Sequence, residues 1–490
     1  MTSIHDQAMN YVYQQVLQRL LGFFSRAERT ALQLLIQRLV VAAGGMERIA
    51  DFKVLVIQSG TLDSCYTLAL LRAAQLSIAG RAPGTFQLRV ATLRLNGTGP
   101  MALDNIHRSN SALFLYDDPR VELLMVDNRE VMPFNHLQAI GEGAHAANRL
   151  NMLMLAHRRT WTEPLDLSDD GYLSTGEFYG QIARWDGGVN ALINSDSPRQ
   201  QKQFINGLSR AARRADLGMV NFTSSEIDRL FALLDNLGSD YYQAFYVNQE
   251  QAPWRPLDSF EACRRSTCID IHDLLVAKLE ERWPLLTDFL GVRSDELATH
   301  LSIQEFICPM IAAHVRGLAA CFVAGNNYEA GQSEYIRRAL VLMRRKHVPE
   351  RLCEQAEALF ADSAVMAEQR IQAAADAQKT LGLSEAQLIC LLFAPFVDQG
   401  AGLERFLRRC HPGMLVAMPD LHRAMQGHPV PEQVLQWMID VSGLPVSLIG
   451  TLYGMTSPDV DNREFGLPLD DADGSPQRDS GIIGELSAGR

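Results

Sequence analysis

Residues 52–80 read FKVLVIQSGTLDSCYTLALLRAAQLSIAG, and their reading decides the fold. FKVLVI is a short apolar run rich in β-branched residues, as a buried strand requires. QSGTLDS is a turn by composition, and a helix opening at Cys65 carries Leu68, Leu71, Leu76 and Ile78 to a core. A thiol in the first turn of a helix feels unpaired N–H groups and the positive end of the macrodipole, which favour thiolate. Cys65 is therefore the candidate nucleophile.

Outward from this stretch, residues 1–48 read as a two-helix lead-in. Ser25, with Glu28 three positions on, is the N-cap of a helix over Ala27–Ala43, which Gly44-Gly45 ends. Residues 50–140 read as a small α/β unit. FQLRVATLRL at 86–95 alternates as a strand, and SALFLY (111–116) and RVELLMVD (120–127) are expected to form a hairpin about Asp117-Asp118-Pro119. Residues 141–455 are expected to be mainly helical: 141–160 include a helix that runs into Pro164, and from about 178 to 455 nearly everything follows a 3.6-residue period, with helices expected at 178–185, 198–214, 224–236, 239–248, 271–290, 303–324, 331–346, 349–380, 384–396, 402–410 and 431–441. The tail at 456–490 is rich in Asp, Gly, Pro and Ser and is expected to be flexible. The fold class expected is α+β: a small α/β domain followed by a large, mainly helical one.

At 490 residues, 47% hydrophobic and 21% charged, the chain has globular composition and room for a large core. A net charge of −12 without a basic stripe argues against nucleic acid as a partner. No apolar run approaches a membrane span, and the first residues lack a cleavable leader pattern, so synthesis in a bacterial cytoplasm is expected, with any export by a route without a cleaved signal. Only five of the 45 basic residues are lysine (Lys53, Lys202, Lys278, Lys346 and Lys379). That bias fits a GC-rich bacterial genome, and also a protein delivered into a host where lysines attract ubiquitin. The eight cysteines contain no CxxC pair, so neither a structural zinc site nor a dithiol redox motif is indicated.

Cys65, His107 before a strand and Asp127 at the end of the next form one ordered set. A thiol nucleophile needs a base, and the base needs an orienting group. Gln58, in the turn before the helix, can donate to an oxyanion. This order resembles the papain-like thiol enzymes, and especially their bacterial toxin and effector branches. The resemblance implies Cys65 as nucleophile, His107 as base, Asp127 as orienter and Gln58 as oxyanion contact. It covers about 85 residues, lacks the Cys-Trp pair and places Gln58 one residue further from the cysteine than is usual. The cysteine segment also resembles that of YopJ-type acetyltransferases, whose His and acidic residue precede the cysteine. The expected function is an effector or toxin acting on a protein substrate by acyl hydrolysis or transfer, as protease, deamidase or acyltransferase. A non-enzymatic helical interaction protein, with Cys65 as a buried small hydrophobe, accounts for the same residues.

Asp166 to Glu177 resembles the twelve-residue EF-hand loop. Asp166, Ser168, Asp170, Tyr172, Ser174 and Glu177 stand at the ligand positions and Gly171 at the sixth, so the resemblance implies Ca2+. The same residues also fit an acidic turn capping the next helix. Cys268-Ile269-Asp270 resembles the Cys-x-Asp of NEL-type ubiquitin ligases. Arg337, Arg338, Arg344, Arg345, Lys346 and His347 read as one solvated basic helix face.

Overall fold

A computed structural model describes residues 4–160, 163–215, 246, 266–294, 296–303, 306–345, 348–360 and 363–457. The helix expected at 224–236, that expected at 239–248 apart from Tyr246, Cys263, Lys346, His347 and nearly all of the 456–490 tail lie outside these residues. The chain is mixed α and β and rich in helix, as its composition and periodicity suggest.

Six strands form one sheet in the order β4-β3-β2-β1-β5-β6. They are β1 (Lys53–Ile57), β2 (Gln87–Arg94), β3 (Val121–Asp127), β4 (Glu130–Pro133), β5 (Ala191–Asn194) and β6 (Thr267–Asp270). All pairings are parallel except that of the edge strand β4, which turns back on β3. Parallel strands need crossovers, and helices supply them. Helices α1 (Ile4–Phe23) and α2 (Arg26–Ala43) precede the sheet, and those between its strands include α3 (Leu62–Ala79), α4 (Pro100–Ala112), α5 (Glu142–His157), α6 (Asp169–Ile182) and α7 (Pro198–Arg214).

Alternation along the strands divides the core. Val54, Val56, Leu88 and Val90 pack with Leu20 of α1, Leu35 and Leu39 of α2, and Leu68 and Leu71 of α3. Leu55, Ala91, Val126 and Leu192 point the other way, to Phe178 and Ile182 of α6. Helix α3 is therefore covered on both sides, and every residue from Cys65 to Ile78 is buried. Its polar members are satisfied inside: Arg72 donates to Asp118 at 2.7 Å, to Gln75 Oε1 at 2.6 Å and to Leu113 O at 3.1 Å. The Ser25–Glu28 capping box opens α2, and Gly44, at φ 81°, ends it.

Two expectations change. Residues 111–116 are not a strand but the end of α4 and the turn beyond it; Gly99-Pro100 starts that helix, which provides the crossover from β2 to β3. The hairpin is instead β3–β4, closed at Asn128 with φ 54°. The sheet also extends past residue 140, because β5 and β6 come from the stretch read as helical. Each has four residues, too few to display a period. Beyond them a second core unites α5 and α7 with helices that include Pro309–Leu318, Tyr328–Arg345, Glu385–Phe393 and Glu432–Ser442. Among the described residues no single helix is long and apolar enough to cross a membrane.

Candidate functional site

In an open parallel sheet the binding crevice forms at the carboxyl ends of the strands, where successive connections leave in opposite directions. Here that point lies between β1 and β5: from β1 the chain moves to β2 and β3, while β5 and β6 build out the other side. A cavity of about 1180 Å³ opens there. Its wall includes Ser59–Ser64 after β1, Thr92, Leu93 and Leu95 at the end of β2, and Asn194–Asp196 after β5.

The loop after β1 is built from hydroxyls. Ser59 Oγ and Thr61 Oγ1 are 3.0 Å apart, and Ser64 Oγ lies 3.3 Å from the first and 3.2 Å from the second. Thr61 caps α3 by accepting from Ser64 N–H at 3.4 Å. The helix thus begins at Leu62, three residues earlier than the sequence suggests. Gly60 has φ 75°, and a Cβ there would lie 2.3 Å from Ala102 O, so only glycine lets the loop press against the first turn of α4. Ser59, Thr61 and Asp63 are exposed to solvent. Asp63 pairs with Arg282 at 3.1 Å. Across the mouth, desolvation and then the charges of Asp63 and Asp270 raise the Asp196 carboxyl above its ordinary range.

Ile57, Leu93, Phe178, Tyr179 and Phe204 supply apolar and aromatic surface to the same cavity. Asn194 Nδ2 and Thr175 Oγ1 are buried on its wall without hydrogen-bond partners. These two polar atoms can orient a ligand held between apolar faces.

The expected thiol constellation is not assembled. Cys65 is 0% exposed. Burial pushes its thiol up, against the smaller opposing effects of Ser109, Gln58 and Ser64, so the sulfur is biased away from thiolate. Gln58 does meet it, donating Nε2 to Sγ at 3.7 Å, but Gln58 is also 0% exposed and lies inside the fold. His107 is on α4 two residues before Ser109, which lies against the sulfur; two residues are about 200° of helix, so His107 faces away. Its Nδ1 meets Tyr116 Oη at 2.8 Å, and its ring stacks on His136 at 3.8 Å. Partial burial, then His136, lowers its affinity for a proton. Asp127 is buried under Arg94, which donates to Oδ1 at 2.7 Å and also to Oδ2. Among the described residues nothing joins Cys65, His107 and Asp127.

The acidic stretch also departs from expectation. Asp170, Tyr172, Ser174 and Glu177 lie in helix α6, so Asp166–Glu177 does not form a calcium loop. The helix starts at Asp169, whose carboxylate receives Arg210 at 2.7 Å and Arg214. Asp166 pairs with Arg210 at 3.2 Å and Glu177 with Arg129 at 3.4 Å, while the Ser168 side chain is buried. Arginines fill the role a cation would have. No group of three or more His, Cys, Asp or Glu among the described residues is arranged to hold a metal ion. Cys268 ends up on the cavity wall, whereas Arg337 and Arg338 pair with Glu334 on their own helix.

The residues that sequence reasoning passed over are Ser59, Thr61, Ser64 and Asn194. Their signal was present: a glycine and three hydroxyls placed between a buried strand and a long helix. No protein-family model, no curated protein and no solved structure matches this chain.

Proposed function

We propose that this chain binds a phosphate-bearing ligand of the nucleotide class, with its phosphate on the Ser59–Ser64 loop and its ring between the apolar walls of the crevice. The observation that carries the reading is the placement of that loop. It joins the central strand to the N-terminus of an 18-residue helix at the point where the sheet's connections diverge, and it lines the cavity. Backbone N–H groups and the helix dipole at such a terminus favour an anion, and the surrounding hydroxyls add donors.

Phe178, Tyr179 and Leu93 give a planar ring apolar contact, and Asn194 and Thr175 offer it polar edges. The carboxylates of Asp63 and Asp196 at the same mouth suit a phosphate when a cation stands between, and magnesium phosphates are commonly held by one or two carboxylates. A thiol mechanism at Cys65 has less support, because the sulfur is enclosed and His107 is turned from it.

Calorimetric titration with ATP and GTP, with and without magnesium, tests the proposal. Binding that strengthens with magnesium and weakens at least severalfold in Ser59→Ala supports it. Absence of binding by either nucleotide at millimolar concentration, with or without magnesium, overturns it.

A further inference from the structure

Asn105, a buried residue of α4, fastens the hydroxyl loop to a distant piece of chain. Its Nδ2 donates to Gly60 O at 3.1 Å and to Arg293 O at 2.7 Å, and its Oδ1 accepts from Arg293 N–H at 2.9 Å. One turn along α4, Arg108 donates to Gly291 O at 3.2 Å. Gly291 has φ 67°, so the chain is bent where these bonds hold it. A single 4%-exposed amide therefore fixes the backbone of Arg293 against the backbone of Gly60.

The Arg293 side chain lines the same cavity as the loop. Among the described residues its guanidinium has no hydrogen-bond or ion-pair partner, the bonds of Arg293 being those of its backbone to Asn105. Arg282, which reaches Asp63 of the cavity wall, is by contrast engaged by Asp63, Ala277 O and Leu275 O. An arginine whose main chain is anchored at two bonds while its head stays unpaired at a cavity is placed to meet an anion, and guanidinium geometry suits phosphate oxygens.

We propose that Arg293 is a ligand-binding cation that meets an anionic group of the phosphate-bearing ligand, and that Asn105 is the positioning residue that holds the loop and Arg293 at a fixed separation. This rests on the phosphate reading of the loop given above. The ligand's charge is then shared between two walls, one made of helix N–H groups and hydroxyls and the other of a guanidinium.

The test is calorimetry on the full chain with inorganic tripolyphosphate and with magnesium ATP, at two salt concentrations. Arg293→Ala should weaken both probes by about tenfold or more, as loss of a charge-assisted contact requires. Arg293→Lys should recover part of that, and salt should weaken binding to Arg293→Ala less than to wild type. Asn105→Ala should lose a similar factor, with the same flattened salt dependence, and the double variant should bind no more weakly than the worse single one. A clasp that merely stabilised the fold would lower affinity without flattening the salt response. If Arg293→Ala binds both probes like wild type, the cation assignment is overturned; if the two losses multiply in the double variant, the positioning link is. Should Asn105→Ala not fold, Arg293→Ala and its salt response decide, since that side chain is exposed. Failure of wild type to bind either probe is seen before any substitution and overturns the phosphate reading itself.

Discussion

Gln58 holds Cys65 from one side and Gly60 from the other: its Nε2 donates to the sulfur at 3.7 Å, while its Oε1 accepts from the Gly60 N–H at 3.3 Å. A residue expected to serve as an oxyanion contact is thereby part of the support beneath the Ser59–Ser64 loop. In iodoacetamide at pH 8, Cys308, which is exposed, should alkylate first among the described cysteines, and Cys65 should react only as the protein unfolds. Because burial raises its pKa, the thiol contributes stability below its ordinary value near 9, and that contribution fades as the pH rises beyond it. Peptide mapping after timed alkylation gives the order. Modification of native Cys65 as fast as Cys308, or faster at lower pH, would restore the thiol-enzyme expectation.

Asp118 illustrates how this fold manages charge in its interior. Burial works to raise its carboxyl, but hydrogen bonds from Arg120 and the charge of Arg72 outweigh it and hold the group down at about 2. A depressed carboxylate stabilises the fold above its unfolded value of 3.8 and loses that contribution as the pH falls towards 2. Denaturant midpoints should therefore drop between pH 4.5 and pH 2.5 by the equivalent of about 1.5 kcal/mol from this group. Asp118→Asn should cost about 3–5 kcal/mol at neutral pH, because Arg72 is left buried with its charge uncompensated. The gap between variant and wild type should narrow in acid. A gap that stays constant over this range would show that the carboxylate's charge is not what matters.

These residues also show what could be read from the sequence and what could not. The strand and helix at 52–80 were legible because one is a short apolar run and the other keeps apolar residues in helical register up to Gly80. Residues 113–116 misled for a physical reason. Leu113 and Leu115 are buried while Phe114 and Tyr116 are each 43% exposed, which is the alternation of a strand produced by a turn after a helix. The strands β5 and β6 left no pattern to find, being short and set apart by long connections. At the site, the position of Cys65 near a helix start points to a reactive thiol, but the packing of α3 on both faces removes the solvent on which that reactivity depends, and the exposed hydroxyls stand in the loop before it.

Gly60 offers a direct test of the loop's geometry. A methyl group there would meet the Ala102 carbonyl oxygen at 2.3 Å, in a backbone conformation of φ 75° that L-residues rarely adopt. Gly60→Ala should therefore cost about 1–3 kcal/mol from the backbone alone and abolish nucleotide binding by moving the loop from α4. Ser59→Ala, whose side chain is exposed, should weaken binding while leaving the thermal midpoint near that of wild type. The two readouts separate loop shape from donor loss. Wild-type affinity and melting in Gly60→Ala would mean that the loop does not need this close approach.

Asp169 decides between a calcium loop and an arginine-bound helix start. Its side chain is 2% exposed and faces Arg210 and Arg214, the latter itself only 3% exposed. Asp169→Asn should destabilise the protein by about 1–3 kcal/mol, since Arg210 and Arg214 each lose one carboxylate partner while keeping a second, Asp166 and Glu163 respectively. A ligand that binds only the folded chain raises stability by about 2.7 kcal/mol at a hundred times its Kd, so a true EF-hand would respond clearly to millimolar calcium. Here the acidic oxygens are already committed to arginines, and Asp170 and Glu177 lie in a continuous helix that cannot wrap an ion. The thermal midpoint should stay unchanged on adding calcium, in wild type and Asp169→Asn alike. A calcium-dependent rise in wild type that vanishes in Glu177→Gln would require the helix start to open into a loop, and would return these residues to the role their spacing suggests.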